Sequence, residues 1–160
     1  MSYSNTSYAY LCNQYNNMSE KEYVVLMTQD LVDYPETSRK QFLVSRPWFS
    51  SFHLQINNKL NLIVPNTHIV STPYEHIDLD SIISNGKIIK GYILVKEMEL
   101  SKCHDNCEIL FAQKEINNIY SGYALSTDGL WRFHSWGINL DGDIVETTCP
   151  RILYYGVTLY

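Results

Sequence analysis

The first strong pattern of apolar and polar positions begins at Ser19 and predicts a helix. Ser19 and Glu22 have the spacing of a capping box, in which the two side chains satisfy backbone N–H groups of the first turn. The apolar positions that follow recur at helical intervals: Tyr23, Leu26, Met27, Leu31 and Tyr34. Pro35 would end this helix, which either precedes the core or forms a lid. Residues 1–18, which are rich in Tyr, Asn and Ser, are expected to be irregular.

The middle of the chain predicts mostly short elements. Between Phe49 and Val64, two β-prone runs flank the polar residues 57–59, a pattern that favours a hairpin. The segment from Leu79 to Ile83 predicts one or two helical turns, which Asn85-Gly86 would end. Residues 87–95 are rich in Ile, Tyr and Val and predict one strand. These elements would supply extra strands to the core.

The last third of the chain has the clearest pattern. Ser101 can cap a helix over residues 102–116, with one largely apolar face formed by Cys103, Cys107, Leu110, Phe111 and Lys114. Four β-prone runs follow, over residues 119–125, 131–138, 144–148 and 152–159. Their connections are too short for parallel crossovers. We therefore expect an α+β fold in which a helix packs on an antiparallel sheet.

The composition and charge exclude some classes of partner but do not identify the function. The 160 residues, 45% hydrophobic and 18% charged, fit a single globular domain spanning residues 1–160. The net charge is −5 and the basic residues are scattered, which argues against nucleic acid as a partner. No apolar run is long enough for a membrane span, and the N-terminus does not resemble an export signal. We expect a soluble, cytoplasmic protein with no membrane partner; its oligomeric state is not predicted.

The four cysteines are then expected to be reduced thiols: Cys12, Cys103, Cys107 and Cys149. Cys103 lies in the first turn of its predicted helix, where the helix dipole favours the reactive thiolate. A thiolate nucleophile needs a base within hydrogen-bond reach, and a third polar group usually orients that base. His134, in the middle of a predicted strand, and Glu146, on the next strand, are the candidates.

The turn between these two strands decides whether Glu146 can reach His134. A three-residue loop at residues 140–142, with Gly142 in the left-handed conformation, pairs Trp136 with Glu146 and places Glu146 diagonal to His134. A two-residue turn at residues 141–142 would put Glu146 on the opposite face. The sequence is compatible with both loops, and we favour the first.

The order of these motifs resembles the core of transglutaminase-like cysteine enzymes. Cys103 is followed by Gly122-Tyr123, by His134-Ser135-Trp136, and by an acid with Thr147 after it. The resemblance covers residues 101–160 and implies a papain-like or transglutaminase-like fold. It makes Cys103 the nucleophile, His134 the general base and Glu146 the orienting acid, although the family prefers Asp at the third position. The strings Gly-Leu-Trp-Arg, His-Ser-Trp and Glu-Thr-Thr also resemble small bacterial or phage proteins of unknown function.

The activity implied is that of a thiol-dependent hydrolase or acyltransferase, acting without a cofactor on the amide bond of a protein or peptide-like substrate. The backbone N–H of Cys103 would be the first donor to the oxyanion. Candidates for the second donor are Trp136, Asn106 and His104.

Three other interpretations compete with catalysis. Free cysteine is among the most buried residue types, so Cys103 could be an ordinary core residue. Enough donors for zinc are present in Cys103, His104, Cys107, His134 and Cys149, but their spacing fits no tight zinc motif and we expect no metal. The many aromatic residues suit a non-enzymatic interaction module, an inhibitor or an adaptor, on the same fold.

Overall fold

The structure, a computed structural model, describes residues 14–31, 51–70 and 79–159. Its helices are α1 (Glu20–Met27), α2 (Ser51–Ile63), α3 (Leu79–Asn85) and α4 (Cys103–Ala112). Its strands are β1 (His68–Ile69), β2 (Lys87–Ile88), β3 (Ile93–Val95), β4 (Asn118–Leu125), β5 (Leu130–Ile138), β6 (Ile144–Glu146) and β7 (Leu153–Thr158). The protein therefore has an α+β fold. No helix in the described ranges is both long and apolar enough to cross a membrane.

One mixed sheet organises the fold. Its strands lie in the order β2-β7-β4-β5-β6-β3, and β1 also pairs with β5. The meander β4-β5-β6 is antiparallel, as the short connections predict, and β7 returns to the free edge of β4. The expectation of a wholly antiparallel sheet was wrong. Two strands that precede the meander, β1 and β3, add parallel to β5 and β6, because long stretches of chain separate them from their partners.

The sheet curls towards a barrel. Its two edge strands, β2 and β3, are joined by residues 89–92 alone. Such a link spans at most about 17 Å, whereas the edges of a flat six-stranded sheet would lie about 24 Å apart. The link is bonded at both ends: the N–H of Ile89 donates to the carbonyl of Tyr154 (2.9 Å), and the N–H of Ile144 donates to the carbonyl of Tyr92 (2.8 Å).

The two faces of the sheet bury different cores. Inside the curve lie Ile89, Ala124, Trp136, Ile144 and Tyr154. Residues of the opposite parity, such as Tyr123 and Phe133, face outward and pack with Ile56 of α2 and Ile82 of α3. Elsewhere on the outer face, α4 covers the sheet with Cys107 and Leu110, which pack against Ile119 and Val145. This packing fixes α4 over the middle of the sheet.

Two predictions about the middle of the chain were wrong. The expected hairpin between Phe49 and Val64 is the helix α2, since Ile56, Leu60 and Val64 are buried at intervals of four residues and form one helical face. The single strand expected over residues 87–95 is split, because the chain leaves one edge of the sheet at Ile88 and joins the other at Ile93.

The remaining predictions for the N-terminal half were met in part. Ser19 caps α1 and accepts a bond from the N–H of Glu22 (3.1 Å), as the capping box predicts, but α1 ends at Met27. Residues 14–17 form a helical turn within the segment expected to be irregular. Residues 1–13 lie outside the described ranges, as do Tyr34 and Pro35. The helix predicted over residues 79–83 is confirmed as α3.

Candidate active site

Cys103 is the first residue of α4 and is almost fully buried, with 5% of its surface exposed. The prediction that Ser101 caps this helix was wrong. Lys102 occupies the cap position without a side-chain hydrogen bond, and Ser101 has a φ of 62°. This left-handed residue, uncommon outside glycine, turns the chain sharply just before the thiol. The helix also ends earlier than predicted, at Ala112 rather than Ile116.

The loop between β5 and β6 has the three-residue form. Ile138 pairs with Ile144 and Gly137 with Val145, and the N–H of Asn139 donates to the carbonyl of Asp143 (3.1 Å). Gly142 has a φ of 83°, the left-handed conformation that this loop requires. The predicted register is therefore confirmed, and Glu146 lies diagonal to His134.

His134 and Glu146 form a buried pair. Nε2 of His134 lies 2.9 Å from Oε1 and 2.8 Å from Oε2 of Glu146, and neither residue is more than 2% exposed. The His134 side chain is also hydrogen-bonded to Cys103. With Nε2 held by the carboxylate, Nδ1 is the nitrogen left for the thiol. The structure thus connects Cys103, His134 and Glu146 in that order.

Further hydrogen bonds hold the carboxylate of Glu146 in place. The backbone N–H and the hydroxyl of Thr148 both donate to Oε1 (3.0 Å each), and the hydroxyl of Tyr154 donates to Oε2 (2.7 Å). Burial pushes the pKa of Glu146 up, but the bonds from His134, Tyr154 and Thr148 hold it below the ordinary value. Glu146 is therefore a fixed anion in the interior.

Burial and the charged Glu146 both shift the pKa values of His134 and Tyr154. Burial lowers the pKa of His134, but the bonds to Cys103 and Glu146 outweigh burial and raise it above the ordinary value. Burial and the nearby Glu146 charge raise the pKa of Tyr154, so its hydroxyl stays a donor. The arrangement favours a protonated imidazole beside the thiol, which is the charge state that stabilises a thiolate.

A cleft of about 430 Å³ opens on this group. One edge of β5 pairs with β1 at Leu130–Trp131 and with β6 at Gly137–Ile138, and His134 lies between these two ladders. The polar and reactive residues lining the cleft include Cys103, His134, Arg132, Thr148, Cys149 and Arg151. The thiol of Cys103 and the imidazole of His134 therefore border the same cleft.

Two arginines of the cleft, Arg132 and Arg151, were not predicted from the sequence as site residues. Nη1 of Arg132 and Nη1 of Arg151 both donate to the hydroxyl of Ser126, at 3.1 and 2.8 Å. Arg132 also forms an ion pair with Asp128 (2.8 Å). Burial pushes the pKa of Asp128 up, but bonding to Arg132 and the charge of Arg151 hold it below the ordinary value. Arg132 could have been noticed, since it lies two residues before His134 on the same face of the strand.

The three candidates for a second oxyanion donor do not line the cleft. Trp136 packs inside the sheet, its ring centroid 5.0 Å from that of Tyr154. The side-chain nitrogen of Asn106 donates to the carbonyl of Glu99 (2.8 Å) and to the hydroxyl of Thr147 (3.3 Å), so it ties α4 to the neighbouring chain. Nδ1 of His104 lies 3.4 Å from the hydroxyl oxygen of Ser135, and its Nε2 lies 3.4 Å from Oε1 of Glu108.

The other cysteines differ from Cys103 in their surroundings. Cys107 is fully buried, and burial together with the nearby Cys103 raises its pKa strongly. Cys149 is exposed, and Cys12 lies outside the described residues. The three described cysteines are free thiols. Within the described ranges, no group of three or more His, Cys, Asp or Glu residues could hold a metal ion.

Comparisons with models of protein families, with curated proteins and with solved structures found no match. Function is therefore inferred from the geometry of the cleft.

Proposed function

We propose that the protein is a thiol-dependent hydrolase or acyltransferase that acts on amide bonds through Cys103, His134 and Glu146, on a transglutaminase-like core. The observation that carries the proposal is the chain of hydrogen bonds from the thiol through the imidazole to a buried carboxylate, beside an open cleft. A nucleophile, a base and a group that orients the base are the three roles that such chemistry needs.

In the first half of the reaction, the sulfur of Cys103 attacks the carbonyl carbon of the amide. The carbon–nitrogen bond then breaks, the protonated His134 gives its proton to the leaving amine, and a thioester remains on Cys103. Glu146 stays ionised and stabilises the imidazolium throughout. The backbone N–H of Cys103, at the start of a helix, is the donor proposed for the oxyanion.

In the second half, water or an amine attacks the thioester. His134 takes a proton from this nucleophile as the carbon–sulfur bond breaks, and the protein is restored with its proton shared between thiol and imidazole. Water gives a carboxylic acid and an amine gives a new amide. The proposal covers both outcomes, since the same residues serve each.

The first test measures how fast each cysteine reacts with iodoacetamide at pH 6, with the modified residues identified by mass spectrometry. An unperturbed thiol is less than about 1% ionised at this pH, so a thiolate stabilised by His134 should react roughly tens of times faster than Cys149. Cys107 should react only after unfolding, since it is fully buried. The fast reaction of Cys103 should also disappear in urea.

A second measurement detects acyl transfer directly. Incubation with p-nitrophenyl acetate should leave an acetyl group on Cys103 and release nitrophenol repeatedly, and a Cys103→Ser variant should do neither. The proposal fails if Cys103 reacts no faster than Cys149 and takes no acetyl group. That outcome would favour the interaction module instead.

A further inference from the structure

The walls of the cleft are positively charged. Arg132 and Arg151 line it together with His134, and no carboxylate is among the described residues of its lining. The chain as a whole has a net charge of −5, so a cationic cleft departs from the average surface of this protein. Cleft walls of one charge concentrate ligands of the opposite charge.

Among the described residues, Arg132 forms an ion pair and Arg151 does not. Both guanidinium groups donate to the same hydroxyl, that of Ser126, which brings two like charges together. Asp128 is paired with Arg132, which uses Nη1 and Nη2 for this carboxylate. Within the described ranges, the group therefore contains two cations and one anion, and an anionic ligand would balance it.

Arg151 has a donor without a partner in the part of the chain that the structure describes. Its Nη1 is bonded to Ser126, whereas its Nε is buried with no hydrogen-bond partner among the described residues. A buried donor without a partner is uncommon and calls for an explanation. Nε and Nη2 form one side of the guanidinium fork, which binds a carboxylate through two parallel hydrogen bonds.

We propose that Arg151, supported by Arg132, binds a carboxylate group of the substrate beside Cys103, so that the preferred substrates are peptides with a carboxylate, from an acidic side chain or a chain terminus, near the amide that reacts. This inference rests on the proposed function, because it names the substrate class of the same site. It assigns Arg151 to recognition, and the reacting groups remain Cys103 and His134.

Two alkylating agents of nearly equal size test whether Arg151 binds a carboxylate beside Cys103. Iodoacetate and iodoacetamide react with thiolates by the same displacement, but only iodoacetate carries a carboxylate. For each thiol, the rate with iodoacetate is divided by the rate with iodoacetamide. We expect this ratio to be about tenfold higher for Cys103 than for the thiol of glutathione, a difference that corresponds to one charge-assisted pair. In Arg151→Gln, the ratio should fall to that of glutathione.

The control is Lys21→Gln, which removes the same charge from an exposed position on α1. It should keep the high ratio, since a loss of net charge alone does not remove the binding group. The inference is overturned if the wild-type ratio equals that of glutathione, or if Arg151→Gln keeps the high ratio. Failure of the proposed function looks different: Cys103 would then be slow with both reagents.

Protection from iodoacetamide identifies where the carboxylate comes from. The probes are N-acetylglutamate α-amide, with a side-chain carboxylate, N-acetylglutamine, with a terminal carboxylate, and N-acetylglutamine amide, which is neutral. We expect one of the two anions to protect Cys103 best, which identifies an acidic side chain or a chain terminus as the recognised group. The inference is contradicted if all three probes protect Cys103 equally, or if none of them protects it.

Discussion

Nε2 of His134 lies 2.8 Å from Oε2 of Glu146, and the two side chains are buried together in the interior of the sheet. In the neutral imidazole, a carboxylate at Nε2 keeps the proton on that nitrogen and leaves the lone pair of Nδ1 facing Cys103. In the charged imidazole, the same carboxylate stabilises the extra proton. Both states are needed in the proposed cycle, because His134 gives up a proton in one step and takes one in the next.

The first prediction is that Glu146→Gln slows the alkylation of Cys103. Glutamine keeps the size of the side chain but lacks the charge, and its amide N–H can force the imidazole into the wrong tautomer. We expect the rate with iodoacetamide at pH 6 to fall at least about tenfold, and acetyl turnover to fall further, by roughly 100-fold or more. Rates are measured on folded protein, as checked by circular dichroism.

Glu108→Gln is the matched control for this substitution. Glu108 lies on α4 and contacts His104, but its side chain is 43% exposed. The same loss of one charge should therefore change the Cys103 rate less than about twofold, since exposed pairs contribute little. If Glu146→Gln behaved like this control, Glu146 would have no part in orienting His134.

A second prediction concerns pH. The folded-state pKa of Glu146 is below its ordinary value of 4.5, so its stabilising contribution is present above about pH 4.5 and is lost as the pH falls through the folded pKa. The folded-state pKa of His134 is above 6.5, so its contribution is fully present below about pH 6.5 and is lost as the pH rises through the folded pKa.

The pair should therefore stabilise the protein most between about pH 4.5 and 6.5. The measurement is the free energy of unfolding in urea, from pH 4 to pH 9, for the wild type and for the double variant His134→Gln/Glu146→Gln. The difference between the two should decline on both sides of that window. A difference that grows above pH 7 would mean that burial, rather than the bonds to Cys103 and Glu146, controls the pKa of His134.

The site could be predicted from the sequence where its geometry is local. The strands β4 to β7 have strong β-prone runs, and Gly142 suits a three-residue loop, so the register that brings Glu146 to His134 follows from neighbouring residues. The start of α4 at Cys103 was also predicted within one residue.

The features of the fold and of the site that were not predicted depend mostly on contacts between distant parts of the chain. Nothing local indicates that the chain leaves one sheet edge at Ile88 and joins the other at Ile93. Arg132 and Arg151 are brought together by Ser126, and Tyr154 reaches Glu146 only after β7 has crossed to the far side of β4. The error at α2 has a different cause. Its short β-prone runs are ambiguous between strand and helix, and only the interval of four between Ile56 and Leu60 favours a helix.

A third prediction compares two buried tyrosines. The hydroxyl of Tyr154 donates to Glu146 (2.7 Å), whereas the hydroxyl of Tyr123 is buried with no hydrogen-bond partner among the described residues. Tyr154→Phe should lower the free energy of unfolding by about 1.5–3 kcal/mol, the range for a bond to a charged group. Tyr123→Phe should be neutral or stabilising, because it removes a polar group that makes no bond. Equal effects in urea unfolding would contradict the role given to Tyr154.

The last prediction tests the loop that sets the register. Gly142 has a φ of 83°, and a Cβ added there would meet nothing within 4 Å, so any cost of a side chain is conformational. Gly142→Ala should lower the free energy of unfolding by about 1–2 kcal/mol, whereas Gly142→Asn should cost less, since Asn adopts the left-handed conformation more readily. Because the strain acts on the β5–β6 connection, which sets the register of Glu146 with His134, the alanine variant should also slow the alkylation of Cys103 in mild urea. Equal stability and reactivity of the two variants would show that the backbone of Gly142 is not what holds Glu146 in register with His134.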